Sequence, residues 1–124
     1  MKYLTRMDVM MGEALDQAFK LGKRFQPADL ARHLKRAVLK NERKTLSASF
    51  AANRYALYLH PDDYARLEPL LPEIREDLTR VLQDFLCAQG LATMGTAGVG
   101  LSPDQNVAAG RVRITAHFIE ERGE

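Results

Sequence analysis

Asn53-Arg54-Tyr55-Ala56-Leu57-Tyr58-Leu59-His60-Pro61-Asp62-Asp63-Tyr64 reads as a strand that runs straight into a helix. Tyr55, Leu57 and Leu59 share one side of a period-two pattern, which places three apolar side chains on one face of a half-buried strand. Pro61 then stands where a helix accepts its first residue, because an N–H there would have no intrahelical partner anyway. His60-Pro61-Asp62-Asp63 reads better as a cap, with the aspartates satisfying free amides, than as an acid/base cluster.

Downstream, a short helix over 61–70 breaks at Pro69 and Pro72, and a longer one covers 73–89. Ile74, Leu78, Val81, Leu82 and Phe85 line its apolar face, Glu73, Glu76 and Asp77 lie in the first turns, and Gly90 ends it. The period then changes from helical to alternating. Ala97, Val99 and Leu101 alternate with small or polar residues, 102–106 supplies turn chemistry, and Val112, Ile114, Ala116 and Phe118 alternate with Arg111, Arg113, Thr115 and His117. Two antiparallel strands with one buried face are expected.

Upstream, residues 46–50 read as a short strand that passes through a turn at Asn53 to form a hairpin with the strand at Tyr55. Pro27 opens a helix to about Asn41 with Leu30, Leu34, Ala37 and Val38 as its apolar stripe. Leu4, Met7, Met11, Ala14, Leu15 and Ala18 recur at helical spacing, which predicts a first amphipathic helix over 4–21. The expected fold class is therefore α+β: a two-layer sandwich with a mostly antiparallel three- to four-stranded sheet and helices on one face, the first, second and fourth helices covering it.

The 124 residues suit one domain over 1–119, with 120–124 an acidic tail or the start of a linker. One cysteine, Cys87, excludes a scaffold stapled by internal disulfides and reads as a buried or half-buried structural thiol. No apolar h-region or membrane span is legible, so a cytoplasmic chain is expected. His33, His60 and His117 lack metal-ligand spacing. Gly95, Gly98 and Gly100 lack the Lys-Ser/Thr pair and following helix of a phosphate loop. No cofactor, metal or catalytic residue is therefore assigned, and the chain is read as not an enzyme.

The charge is small in sum, +2, but unevenly placed. Lys20 to Lys44 carries nine Lys or Arg against two acids, while Pro61 to Asp84 carries seven acids against three Arg. The candidate partner surface is the basic helix face Arg32, Lys35, Arg36 and Lys40, extended by Arg43 and Lys44. Such a face offers charge-assisted contacts to phosphorylated proteins, nucleic acid or anionic lipid, and an ordinary solvated face accounts for it equally well. A secondary surface would form if Arg111, Arg113 and His117 lay beside Arg54, Tyr58 and His60 on the open side of the sheet.

Four segments together resemble the N-terminal domain of FhaA-type forkhead-associated proteins. They are Pro27-Ala28-Asp29-Leu30-Ala31, the Asn53-x-Tyr55-x-Leu57-x-Leu59-x-Pro61-x-Asp63-Tyr64 string, the helix end from Leu78 to Gly90, and Gly110-x-Val112-x-Ile114. Ala52 departs from the proline common before the asparagine in that family, and no FHA domain follows. The chain is thus expected to be an N-terminal piece or a free-standing relative, and phosphothreonine recognition is carried over to no residue. The resemblance implies a non-catalytic adaptor in bacterial Ser/Thr kinase signalling, near cell-wall growth and division, with protein partners and an FHA domain in cis if the chain is a fragment. A nucleic-acid-binding module using the basic second helix is the alternative, and a small enzyme without a recognisable motif the remote one.

Overall fold

The computed structural model describes the backbone of residues 6–22 and 24–122, and side chains within 15–22 and 24–120. Strand β4 (Arg54–Leu59) and helix α2 (Pro61–Leu67) follow the string that opened the sequence reading. Around them run β1 (Arg6–Lys20), α1 (Pro27–Lys40), the two-residue strands β2 (Arg43–Lys44) and β3 (Ser49–Phe50), α3 (Leu71–Gln89), β5 (Gly98–Pro103) and β6 (Arg111–Arg122). A 3₁₀ turn over Glu68–Leu70 joins α2 to α3.

The main sheet has the order β1-β6-β4-β5. β6 is antiparallel to both β1 and β4, while β4 and β5 are parallel. Parallel neighbours need a crossover, and α2 with α3 supplies it. Tyr55, Leu57, Leu59, Val99, Leu101, Val112, Ile114, Ala116 and Phe118 are all buried, and their alternation puts them on one face of the sheet. Against that face pack Leu30, Leu34, Ala37 and Val38 of α1 and Leu71, Ile74, Leu78, Leu82 and Leu86 of α3. The α+β class with a mostly antiparallel sheet is what the alternation predicted.

Four expectations are corrected. The helix predicted over 4–21 is β1, paired with β6 from Arg6 to Lys20; Leu4 lies outside the described residues. Register shifts between Val9 and Leu15 break its period-two pattern, so apolar spacing imitated a helix where backbone pairing decides the outcome. The expected β5–β6 hairpin is split by β4. Its connection arches over the end of β4, with Asp104 N–H donating to Leu59 O at 2.8 Å and Gly110 N–H to Asp63 Oδ2 at 2.8 Å. β3 pairs with β2 instead of β4. Finally, Leu86 takes the core position expected of Phe85, which is half-buried, and the next residue round the helix, Cys87, is exposed.

Local chemistry fixes the ends. His60 caps α2, its Nδ1 accepting Asp62 N–H at 3.1 Å, so Asp63 is left to tie the helix to Gly110. Gly90 ends α3 at φ +67°, a conformation open to glycine without a Cβ clash, and Leu91 N–H closes the motif on Leu86 O at 2.9 Å. Gly110, at φ +77°, receives Leu21 and Gly22 N–H on its carbonyl, and a Cβ there would lie 3.3 Å from Gly22 O. β6 continues through Glu120, Glu121 and Arg122, which were read as tail, opposite Arg6 to Asp8; Gly123 and Glu124 lie outside the described residues.

Candidate functional site

Helix α1 turns one face to the core and the opposite face to solvent. Leu30, His33, Leu34, Ala37 and Val38 are buried, while Arg32, Lys35, Arg36 and Lys40 are exposed. The first turn is fixed by Asp29, whose carboxylate accepts Gln26 N–H at 2.8 Å and Arg32 Nη2 at 2.8 Å. Those contacts, the Gln26 N–H first, hold the Asp29 carboxyl below its ordinary range. Arg32 is therefore oriented and in part neutralised. Lys35 Nζ lies 5.7 Å from the Phe85 ring centre and Lys40 Nζ 5.5 Å from that of Phe19, distances at which a cation is attracted to an aromatic face. Arg36 makes no ion pair among the described residues.

Past the helix, Arg43 sets its guanidinium 5.0 Å from the Phe118 ring centre, and Lys44 reaches Glu42 at 3.9 Å. The six predicted basic residues thus lie on the outer face of α1 and in the strand β2 that follows it. Between α1 and α3 lies an open groove of about 290 Å³ lined by Lys35, Val81, Asp84, Phe85 and Ala88. It falls at the small end for a small-molecule site.

The second candidate surface is assembled as the alternation required. Arg113 pairs with Tyr58 and His117 with Arg54 across β6 and β4, while His60 leaves the group to cap α2. Arg113 and Arg54 are engaged within the molecule, while Arg111, at the start of β6, is exposed. Arg113 binds Asp16 through Nε at 2.7 Å and Nη2 at 3.1 Å, reaches Asp104 through Nη1 at 3.4 Å, and sits 5.2 Å from the Tyr58 ring centre. This pairing lowers the Asp16 carboxyl from its ordinary range, the hydrogen bond from Arg113 being the main cause. Arg54 donates from Nε to Thr96 O at 2.8 Å. Thr115, between Arg113 and His117, is buried with its hydroxyl unpartnered. No sequence signal joins Asp16 to Arg113, 97 residues away.

Two features escaped the sequence reading. Asn53, read as a turn residue, is fully buried and joins the start of β4 to β6 and to the segment that leads into β5. Its Nδ2 donates to Ile119 O at 2.9 Å and Thr96 O at 3.2 Å, and its Oδ1 accepts Ile119 N–H at 2.8 Å. Tyr55 and Asn41 are buried in the core with the phenol hydroxyl and both amide atoms lacking a hydrogen-bond partner among the described residues, and burial pushes the phenol well above its ordinary range. Neither is accessible to a substrate. Among the described residues no three His, Cys, Asp or Glu gather as a metal site, and no helix is long and apolar enough to cross a membrane.

Comparison with known proteins agrees with this architecture. No curated protein matches the chain. A solved structure of the N-terminal domain of Rv0020c superposes with a TM-score of 0.69 at 22% identity, covering 77% of this chain and 72% of that one; at that identity the likeness shows the fold. The model of the family described as "FhaA, N-terminal domain" matches residues 4–115, a span that takes in the strand-to-helix string, both long helices and the start of the last strand, and by it the chain belongs to the FhaA N-terminal domain family.

Proposed function

We propose that this domain is a non-catalytic interaction module of an FHA-type signalling protein, and that it docks a protein partner through the outer face of α1. The family match over residues 4–115 carries this reading. The exposed, helix-spaced cations Arg32, Arg36 and Lys40 support it, because they project from a rigid, capped helix and take no part in the core. The partner would belong to a bacterial Ser/Thr kinase pathway concerned with cell-wall growth, and an FHA domain in cis, if the full-length protein has one, would read phosphate. Nucleic-acid binding by the same basic helix is the alternative, to which the open sheet face lends little, since Arg113 and Arg54 there are engaged internally.

Changing Arg32, Arg36 and Lys40 to Glu tests the reading, since surface substitutions of this kind usually alter stability by no more than about 0.5 kcal/mol. Affinity capture with the wild-type chain and the variant, read for kinase-pathway proteins, should show a partner retained by the first and lost by the second. Equal recovery by both would remove α1 from the interface. Salt-dependent retention of the chain on nucleic acid, abolished by the same changes, would favour the alternative.

A further inference from the structure

We infer that the end of the molecule formed by the β2–β3 hairpin and the C-terminal turn of α1 docks on anionic membrane surfaces, with Leu46 entering the lipid. The inference takes from the preceding reading only that the cationic region is a docking surface. Leu46 is completely exposed at the tip of the hairpin. The tip is not loose: Thr45 Oγ1 accepts Ser47 and Ala48 N–H at 3.4 and 3.1 Å, and Thr45 N–H donates to Ala48 O at 2.8 Å. A leucine is therefore held away from the protein by a rigid turn.

A lone exposed leucine would call for no explanation. Here, however, of the four exposed large apolar residues among the described residues, Leu46 is at the tip and two others, Leu39 and Met94, lie on segments joined to the hairpin. Leu39, in the last turn of α1, stands four residues before β2. Met94 follows Ala92, which is tied to the hairpin by Ala51 N–H to Ala92 O and Ala92 N–H to Ser49 O, both 2.9 Å. The charge is one-sided as well. Between Asp29 and Asp62 the sequence has seven Lys or Arg and Glu42 as its single acid; Lys44 adjoins the tip, and Lys40 lies in the last turn of α1.

Basic residues near an anionic bilayer each raise binding about fivefold, and one leucine buried in the acyl boundary adds about tenfold. The sum describes a weak, reversible attachment. One observation favours lipid over the other anions: the exposed apolar tip at Leu46 gains nothing from a phosphate backbone but gains from burial in the acyl boundary.

Vesicle flotation tests the inference, using phosphatidylcholine alone or mixed with phosphatidylglycerol. The wild-type chain should float with the mixed vesicles and stay behind with phosphatidylcholine. Leu46→Ser should weaken binding about tenfold, and Lys40→Glu with Lys44→Glu by at least about 25-fold. Equal binding to both vesicle types, no binding to either, or full binding by Leu46→Ser would each overturn it. So would tighter binding to duplex DNA that Leu46→Ser leaves unchanged. Failure here is distinguishable from failure of the adaptor reading, which is tested by partner capture and at Arg32 and Arg36, whereas Leu46→Ser probes the lipid contact alone.

Discussion

Replacing Asn53 with alanine should be among the most damaging single changes to this fold, and the structure supplies the magnitude. β4 stops pairing with β6 at the Arg54–His117 rung, and beyond it the Asn53 side chain takes the place of a peptide group, giving both an acceptor and a donor to Ile119. Alanine leaves Ile119 N–H, Ile119 O and Thr96 O without that partner. An unsatisfied buried group costs about 1–3 kcal/mol. Ile119 is only partly buried, so water recovers some of the loss, and a net cost of about 2–4 kcal/mol follows. With a urea dependence of about 2 kcal/mol/M, the midpoint should fall by about 1–2 M. Asn53→Asp separates this account from simple loss of volume. The carboxylate keeps the Ile119 N–H contact but faces two carbonyl oxygens, so its deficit should be larger at neutral pH and shrink as the group is protonated. A midpoint within about 0.3 M of wild type for Asn53→Ala, with the urea dependence unchanged, would show that the amide does not hold the strands.

Leu82→Ala should cost about 2–5 kcal/mol, because Leu82 is fully buried, while half-buried Phe85→Ala should cost about 2, below the 3–5 of a buried phenylalanine; urea unfolding should rank them in that order. Gly110→Ala should lose about 1–2 kcal/mol by the same assay, since a side chain at φ +77° is strained and its Cβ approaches Gly22 O. His33 donates from Nε2 to Lys20 O at 3.1 Å while its Nδ1 is buried without a partner, and burial chiefly holds its pKa below the ordinary 6.5. The unfolded chain therefore binds the proton first, so the stability that this neutral histidine contributes is complete above pH 6.5 and declines as pH falls through the folded-state value. His33→Gln should flatten that decline in urea midpoints measured from pH 7.5 downward, and an identical slope in both proteins would refute the assignment.

Much of the architecture was legible in short-range pattern. β4, α1, α2, α3 and β6 follow from period-two or period-3.6 burial and from Pro27, Pro61 and Gly90, since a half-buried strand or helix must write its buried face into its own residues. The basic face of α1 was legible for the same reason: once Leu30, Leu34 and Val38 point inward, Arg32 and Arg36 must point out. Partners far apart in sequence were not legible. β1 contains helix-forming residues and becomes a strand because β6 has an edge to fill and bulges disguise the alternation. The placement of β4 between β5 and β6 lies in its parallel ladder to β5 and its antiparallel ladder to β6, pairings between residues far apart in sequence. Arg113 looked free for a ligand until the fold brought Asp16 and Asp104 to it, and Asn53 looked like a turn until Ile119 closed on its amide. Sequence thus determined which face of each element is wet and where most elements begin, because those are properties of neighbours along the chain; only the tertiary structure decided which charges remain open to a partner, because ion pairs and strand order join residues that no local pattern relates.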